Sequence, residues 1–280
     1  MSDQGPRKND RGATRQGIYC LTAGGTLLSY KNAGQNAQAT LDALEQAIRK
    51  WNQLAKTETE PGAVVVPPRG KVDRNYAPNL PAGGQALLVY TRLLEKNGAE
   101  CKPLVCEKGK GDEPGRDSLW ILPAELKELA ADTESMPIPK NLADRLLRFH
   151  FLDNTRGEPP FWAPGDVKSQ DLKLSRVGSE GDVVRWKASG SFHLETARHD
   201  RGCKGRVMGE LHLDRKTNRL VGCTLAALGD HWGEGAYTRG APVGEIPLGV
   251  IFAIPAASDR TAEAVPPQGI RAWGGYFPGR

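Results

Sequence analysis

The residues best suited to acid–base chemistry lie in a glycine-rich loop, GDHWGEGAYTRG, at positions 229–240. His231 has a carboxylate on either side in this loop, and such neighbours raise the pKa of an imidazole towards the range of a general base. A loop of this kind at the mouth of a sheet builds a pocket from an aromatic wall and a few polar groups. A second stretch, RFHFLDNTRGEPPFW at 148–162, supplies further carboxylates and guanidinium groups. The predicted catalytic set is His231, Glu234, Asp153, Arg156 and Glu158.

Both stretches also have a purely structural interpretation. Positions 148–150 continue a helical pattern, residues 153–157 have the composition of a turn, and the prolines after them favour an extended lead into the next domain. The carboxylates of this stretch and Arg156 then form a structural ion pair instead of reaching His231. The glycine-rich loop would in that case be a surface loop anchored by one buried tryptophan.

Two histidines and two glutamates form a candidate metal site on a predicted sheet. In 182–196 and in 206–214 the apolar residues alternate, so the polar residues between them share the opposite face. Cross-strand neighbours lie about 5 Å apart, and imidazole nitrogens together with carboxylates suit Zn or Cu. The predicted ligands are His193, Glu195, Glu210 and His212. The alternative is an ordinary solvated face, since the outward residues of a half-buried strand are expected to be polar.

The five cysteines do not have the pattern of a disulfide-stabilised secreted domain, because their number is odd and the chain is long. Cys101 and Cys106 flank a proline that favours a turn, so they are able to pair or to bind a soft metal ion. Cys203 lies near a histidine in a polar loop, which makes a Cys/His nucleophile conceivable, although no oxyanion-hole pattern accompanies it. Cys20 and Cys223 fit strand patterns as small apolar fillers.

Composition excludes several classes of protein. The 280 residues include 38 Lys+Arg and 33 Asp+Glu, a net charge of +5, and the basic N-terminal residues lack interleaved aromatics, so no nucleic-acid partner is expected. No apolar run has the length of a membrane span and none resembles a signal peptide. The chain as given is therefore expected in the cytoplasm, or exported if it is a trimmed form. P-loop, Rossmann, zincin and α/β-hydrolase motifs are absent from the sequence.

The ordered part of the chain begins with a strand, a glycine turn, a returning strand and an amphipathic helix that Asn36 is predicted to cap. One face of that helix carries Leu41, Leu44, Ile48 and Trp51. Within residues 15–55, RQGIYCLTAGGTLLSYKNAG resembles the C-terminal half of a thioredoxin-like domain. The likeness is to bacterial thioredoxin-like proteins in which a further domain follows and contains a sequence close to RFHFLDNTRGEPP. Because the chain has no Cys-x-x-Cys, the resemblance implies a thioredoxin-like remnant without dithiol chemistry.

The predicted fold class is α+β, a thioredoxin-like remnant (β-hairpin plus helix) followed by a C-terminal antiparallel β-domain. From about residue 166 the pattern changes to period two in five segments separated by turns, which is typical of a meander that forms a curved sheet or closes into a barrel. The region before it is mixed, with GQALLVYTRLL and LWIL as strands and helical patterns from Pro123 and after Pro139. The predicted organisation is a disordered basic tail at 1–16, the remnant at 17–56, a linker at 57–83, a mixed connecting region at 84–165 and the β-domain at 166–280.

These features support three hypotheses for function. The first is a non-catalytic binding module that holds a small ligand or a metal ion on the C-terminal β-domain. The second is an enzyme, hydrolytic or acid–base, with its site at the 229–240 loop. The third is an accessory module that interacts with another protein through the thioredoxin-like remnant.

Overall fold

The structure, a computed structural model, describes residues 17–32, 36–60, 62, 79–97, 100–104, 113–241, 243–259 and 261–277. The chain divides into two compact units, Met1–Asp73 and Arg74–Arg280. The boundary between them lies inside the predicted linker at 57–83. The predicted tail at 1–16 and most of that linker lie outside the described residues.

The first unit is a β-hairpin followed by helix. Its elements are β1 (Gly17–Leu21), β2 (Leu27–Asn32), α1 (Ala37–Trp51) and α2 (Lys56–Thr59). The two strands pair antiparallel, with Tyr19 opposite Tyr30 and their ring centroids 4.6 Å apart. Asn36 caps α1, because its side-chain oxygen accepts a hydrogen bond from the Ala39 amide at 3.0 Å.

The helix contacts the hairpin through its smallest side chains. Ala43 and Ala47 are buried, and the Ser29 hydroxyl donates to the Ala43 carbonyl oxygen at 2.7 Å. The face that carries the large apolar residues is exposed, because the hairpin packs against the strip of helix beside it. The exposed fractions are 51% for Leu41, 43% for Leu44, 59% for Ile48 and 38% for Trp51.

The second unit is built around a large antiparallel sheet. Its strands are β3 (Gln85–Asn97), β4 (Glu100–Pro103), β5 (Gly115–Ile121), β6 (Ser135–Pro137), β7 (Val167–Glu180), β8 (Val183–Glu195), β9 (Gly202–Asp214), β10 (Arg219–Trp232) and β11 (Ile246–Ala253). Its helices are α3 (Pro123–Leu129), α4 (Lys140–Arg145) continued by a π-helix (Leu146–His150), α5 (Thr261–Ala264) and α6 (Trp273–Tyr276), with 3-10 turns at Pro164–Asp166 and Gln268–Ala272. The five period-two segments of the sequence correspond to β7 to β11.

One sheet contains strands from both the predicted connecting region and the predicted β-domain. The order is β4-β3-β11-β10-β9-β8-β7-β6, and β5 also pairs with β3. The pairing of β11 with β3, in which Phe252 is opposite Val89, joins residues 84–165 to residues 166–280. Within the described ranges no strand at one edge pairs with a strand at the other, so the sheet is open and not a closed barrel. The fold class is α+β.

Helices α3 and α4 and the π-helix pack on the inner face of this sheet in one hydrophobic core. Two buried tryptophans donate their indole N–H groups to carbonyl oxygens, the first linking the sheet to α3 and the second closing the segment that follows the π-helix. Trp186 of β8 donates to Leu129 at 3.0 Å, and Trp162 donates to Phe151 at 2.9 Å. None of the helices in the described part of the chain is long and apolar enough to cross a membrane.

Candidate functional site

Asp153 and Arg156 form a buried ion pair in the turn that follows the π-helix. Oδ1 of Asp153 accepts hydrogen bonds from the Thr155 amide at 2.9 Å and from its hydroxyl at 2.6 Å, which closes the turn. Nε of Arg156 donates to Oδ2 of Asp153, and the two side chains are 2% and 1% exposed. These hydrogen bonds replace much of the water that the two charges lose on burial, and Nη2 of Arg156 is left without a partner among the described residues.

The same arginine contacts the glycine-rich loop. Nη1 of Arg156 donates to the Thr238 carbonyl oxygen at 2.7 Å. Gly157, with a φ of +153°, lies so close to Tyr237 that a Cβ would be 2.1 Å from the Tyr237 carbonyl oxygen. The turn at 153–157 therefore fixes the loop in place. The ion pair and the contact with the loop, which were alternatives in the sequence argument, occur together.

His231 belongs to β10 next to this ion pair, and its side chain is buried. It is 2% exposed, and burial lowers its pKa to about 4 although the Asp153 carboxylate opposes the shift. The neighbouring carboxylates in the sequence predict a raised pKa for His231, and burial reverses the direction of the shift. Nδ1 has no hydrogen-bond partner among the described residues, and His231 lines neither of the two cavities described below. A general base must reach its substrate, and neither cavity gives a substrate access to this imidazole. The catalytic role of His231 therefore stays a prediction without support from the geometry.

The two glutamates of the predicted catalytic set have other partners. Oε2 of Glu234 accepts hydrogen bonds from the amides of Ala241 at 3.1 Å and Gly240 at 2.7 Å, and these bonds hold the pKa of its carboxyl below the usual value. Glu158 forms a half-exposed ion pair with Arg271 of the C-terminal segment. Glu234 thus stabilises the loop to which it belongs. Glu158 connects its turn to the C-terminal segment through Arg271.

The four predicted metal ligands lie in two separate places. His193 on β8 is opposite Lys204 on β9, and His212 lies eight residues further along β9. At about 3.3 Å per residue this separates the two histidines by about 26 Å, so the prediction that they converge is wrong. Glu195 lies 3.8 Å from His193, and Glu210 lies 3.2 Å from His212. No group of three metal-binding side chains occurs in the part of the chain that the structure describes.

Burial makes two of the described thiols poor nucleophiles, and a third has its predicted partner outside the described residues. Cys203 is 1% exposed and burial raises the pKa of its thiol, which removes the thiolate that a Cys/His nucleophile requires. Burial also raises the pKa of Cys223, to about 11. Cys101 is exposed in β4, and its predicted partner Cys106 lies outside the described residues.

A cavity that the sequence argument missed lies at the edge of the sheet, where the C-terminal segment crosses β5. Its volume is about 330 Å³. Apolar, aromatic and polar side chains line it, among them Leu88, Tyr90, Arg116, Ser118, Val265 and Gln268. We call it the sheet-edge cavity.

Two strands and the C-terminal segment build the sheet-edge cavity. Tyr90 of β3 is directly opposite Arg116 of β5, and Cζ of Arg116 lies 6.0 Å from the centre of the Tyr90 ring. The Ser118 hydroxyl donates to the Val265 carbonyl oxygen at 2.9 Å, which holds the segment against β5. The walls therefore come from parts of the chain that are far apart in sequence.

The charged groups at this cavity differ in how they are partnered. Oδ1 of Asp117 accepts hydrogen bonds from two backbone amides, at 2.8 Å and at 2.9 Å, the second from Gln268. Oδ2 of Asp117 lies 3.4 Å from Nδ1 of the buried His150. Asp259 lines the cavity and has a partner of its own. Arg116 has no carboxylate partner among the described residues, so its guanidinium remains available to a bound anion.

A second cavity of about 570 Å³ adjoins the first. The two share Pro266 and Gln268, and the second also has Glu158 and Arg271 in its wall. The sequence offers a weak signal for either of them. Residues 95–117 are polar and glycine-rich in the sequence, and only the pairing of β5 with β3 shows that Arg116 lies beside an aromatic ring.

Comparisons with known proteins found no match, whether with a protein-family model, a curated protein or a solved structure. The thioredoxin-like resemblance of residues 15–55 therefore stays a prediction.

Proposed function

We propose that the second unit is a non-catalytic binding module that holds a small organic anion with an apolar body in the sheet-edge cavity. The observation that carries this proposal is the Arg116 guanidinium, which has no carboxylate partner among the described residues and lies beside the Tyr90 ring in the cavity wall. A volume of about 330 Å³ is at the lower end of the range that small-molecule sites occupy.

The chemistry of the walls favours this class of ligand. Arginine binds a carboxylate or sulfonate through two parallel N–H donors, which fixes the orientation of the anion. Leu88, Tyr90 and Val265 offer apolar and aromatic surface to the rest of the molecule. Arg116 is exposed to water, so salt should weaken the complex.

Binding without catalysis is favoured because the acidic and basic groups nearby are already engaged. Asp117 accepts two backbone hydrogen bonds, and the His150 side chain beside it is fully buried. A ligand in the cavity therefore meets one charged donor, two carboxylates that already have partners (Asp117 and Asp259), and apolar surface, with no imidazole in the described wall.

The test measures by ligand-observed NMR how the full chain binds naphthoate, an aromatic carboxylate. The uncharged naphthamide is the matched control. We expect naphthoate to bind in the micromolar to millimolar range and naphthamide to bind at least about tenfold more weakly, a difference of about 1.4 kcal/mol. Arg116→Gln should remove this preference. Arg219→Gln, which changes an exposed arginine on β10, should retain it.

A blocking variant locates the site. Val265 is 59% exposed at the cavity, and Val221 on β10 is 57% exposed, so replacement by tryptophan perturbs the core at neither position. We expect Val265→Trp to abolish naphthoate binding and Val221→Trp to leave it unchanged. Equal binding by both variants, or equal binding of the acid and the amide to the original chain, contradicts the proposal.

A further inference from the structure

The first unit carries an apolar stripe on α1 that the hairpin leaves uncovered. Its residues, Leu41, Leu44, Ile48 and Trp51, are spaced three, four and three apart, which is the spacing of the a and d positions of a heptad repeat. All of them are more than a third exposed. We call this surface the α1 stripe.

The position of the helix on its hairpin is already determined by other contacts. Ala43 and Ala47 face the hairpin, and Ser29 donates to the Ala43 carbonyl oxygen at 2.7 Å. At the start of the helix, Nζ of Lys31 donates to the Asn36 carbonyl oxygen at 3.2 Å. The α1 stripe is therefore left over after the unit has formed its own contacts, and large apolar surfaces of this kind are commonly interaction sites.

We propose that the α1 stripe is the interface between two copies of this chain, with the two α1 helices packed side by side and antiparallel. In this arrangement a two-fold axis crosses the α1 stripe midway between Leu44 and Ile48. Leu41 then packs on the partner's Trp51, and Leu44 packs on the partner's Ile48. Each large residue meets a large residue, so the stripe is complementary to itself, as an isologous interface requires.

The distribution of charge on α1 favours antiparallel packing. The first half of the helix carries Asp42 and Glu45, and the second half carries Arg49 and Lys50. Antiparallel packing places the acidic half of one helix beside the basic half of the other and opposes the two helix dipoles. Parallel packing would place halves of like charge at the same level of the dimer and align the two helix dipoles.

Sedimentation equilibrium of the full chain is the first test. We expect a mass of twice 30.3 kDa at high micromolar concentration, with dissociation on dilution. Leu44→Lys combined with Ile48→Lys should eliminate the dimer, and because both side chains are exposed the helix content should be retained in circular dichroism. A chain that remains monomeric at these concentrations overturns the proposal.

A matched variant tests whether another apolar surface is responsible. Met208 and Ile251 on the outer face of the sheet are each 51% exposed, as apolar as the α1 stripe and far from it in sequence. Met208→Lys combined with Ile251→Lys should leave the dimer intact. If this pair eliminates the dimer and the α1 pair does not, the interface is on the sheet and the proposal is wrong.

Cross-linking tests the direction of the helices. In the antiparallel register Gln38, exposed near the start of α1, lies near the partner's Asn52, which is exposed at its end. With Cys101 and Cys106 replaced by serine, a mixture of Gln38→Cys and Asn52→Cys chains should form a disulfide between the two variants, because a disulfide needs close Cα atoms and only antiparallel packing brings these two positions together. Cross-linking of each variant only to itself indicates parallel helices and contradicts the proposal.

Discussion

Replacing Arg156 by methionine tests whether the predicted catalytic turn is a structural joint. Arg156→Met keeps most of the side-chain volume and removes the guanidinium. It leaves the Asp153 carboxylate, which is 1% exposed, without its charged partner, and it leaves the Thr238 carbonyl oxygen without its donor. Removing one member of a buried ion pair destabilises a protein by about 3–5 kcal/mol. Since whole domains are stable by about 5–15 kcal/mol, we expect a large fraction of the stability of the second unit to be lost.

The assay is urea unfolding followed by tryptophan fluorescence. Five of the six tryptophans lie in the second unit, where Trp120, Trp162 and Trp186 are fully buried, whereas Trp51 of the first unit is already 38% exposed, so most of the signal change on unfolding comes from the second unit. Glu158→Gln is the matched control, because its ion pair is half-exposed and exposed pairs contribute at most about 1 kcal/mol. Asp153→Asn combined with Arg156→Met should lose less than the sum of the single variants.

The refuting result is a small effect. If Arg156→Met changes the free energy of unfolding by no more than Glu158→Gln does, the pair is not holding the 229–240 loop. Arg156→Lys gives an intermediate test should the methionine variant fail to fold. It keeps the charge but not the geometry that reaches both Asp153 and Thr238, so a smaller loss is expected.

Two further predictions concern pH and backbone geometry. His231 has a pKa of about 4 in the folded state and about 6.5 in the unfolded state. As the pH is lowered the unfolded state binds the proton first, so the free energy of unfolding should fall by about 3 kcal/mol between pH 6.5 and pH 4. His231→Gln should flatten this part of the stability–pH curve, and an unchanged curve would show that the imidazole is not buried neutral. Gly190 has a φ of +149°, and a Cβ there would lie 1.8 Å from the Asp171 carbonyl oxygen, so Gly190→Ala should unfold more easily by several kcal/mol. Gly181 has a φ of +56° and a Cβ there would have nothing within 4 Å, so Gly181→Ala should lower the free energy of unfolding by only about 1 kcal/mol. Equal thermal destabilisation by the two variants would contradict the close approach of Gly190 to the Asp171 carbonyl oxygen.

Elements with a strong local pattern were predictable from the sequence. Period-two alternation marks β7 to β11, and the Asn36 cap with helical spacing marks α1. What alternation does not contain is the register between strands. His193 and His212 do lie on the polar faces of neighbouring strands, yet eight residues of register separate them. Alternation within one strand shows which face of the sheet a residue occupies, whereas a metal site also depends on the register between neighbouring strands.

The sheet-edge cavity was beyond prediction because its walls are distant in sequence. The hydrogen bond from Ser118 to Val265 spans 147 residues, and the pairing of Tyr90 with Arg116 depends on how β5 returns to β3. The burial of His231 was also not predictable from the sequence, because the composition around it is typical of a solvated loop. The spacing of the large apolar residues of α1 is typical of a face that packs in a core. The pattern cannot show that Ala43 and Ala47 make the contact with the hairpin instead.

Amide chemical shifts of the isotope-labelled full chain, titrated with naphthoate, test the binding site most directly. Binding in the sheet-edge cavity predicts saturable shift changes concentrated at the amides of Tyr90, Ser118 and Gln268, with little change at Thr238. Saturable changes centred on His231 and the 229–240 loop would instead support a site at the position that the sequence suggested. An absence of saturable change at the cavity amides contradicts the binding of this class of anion there.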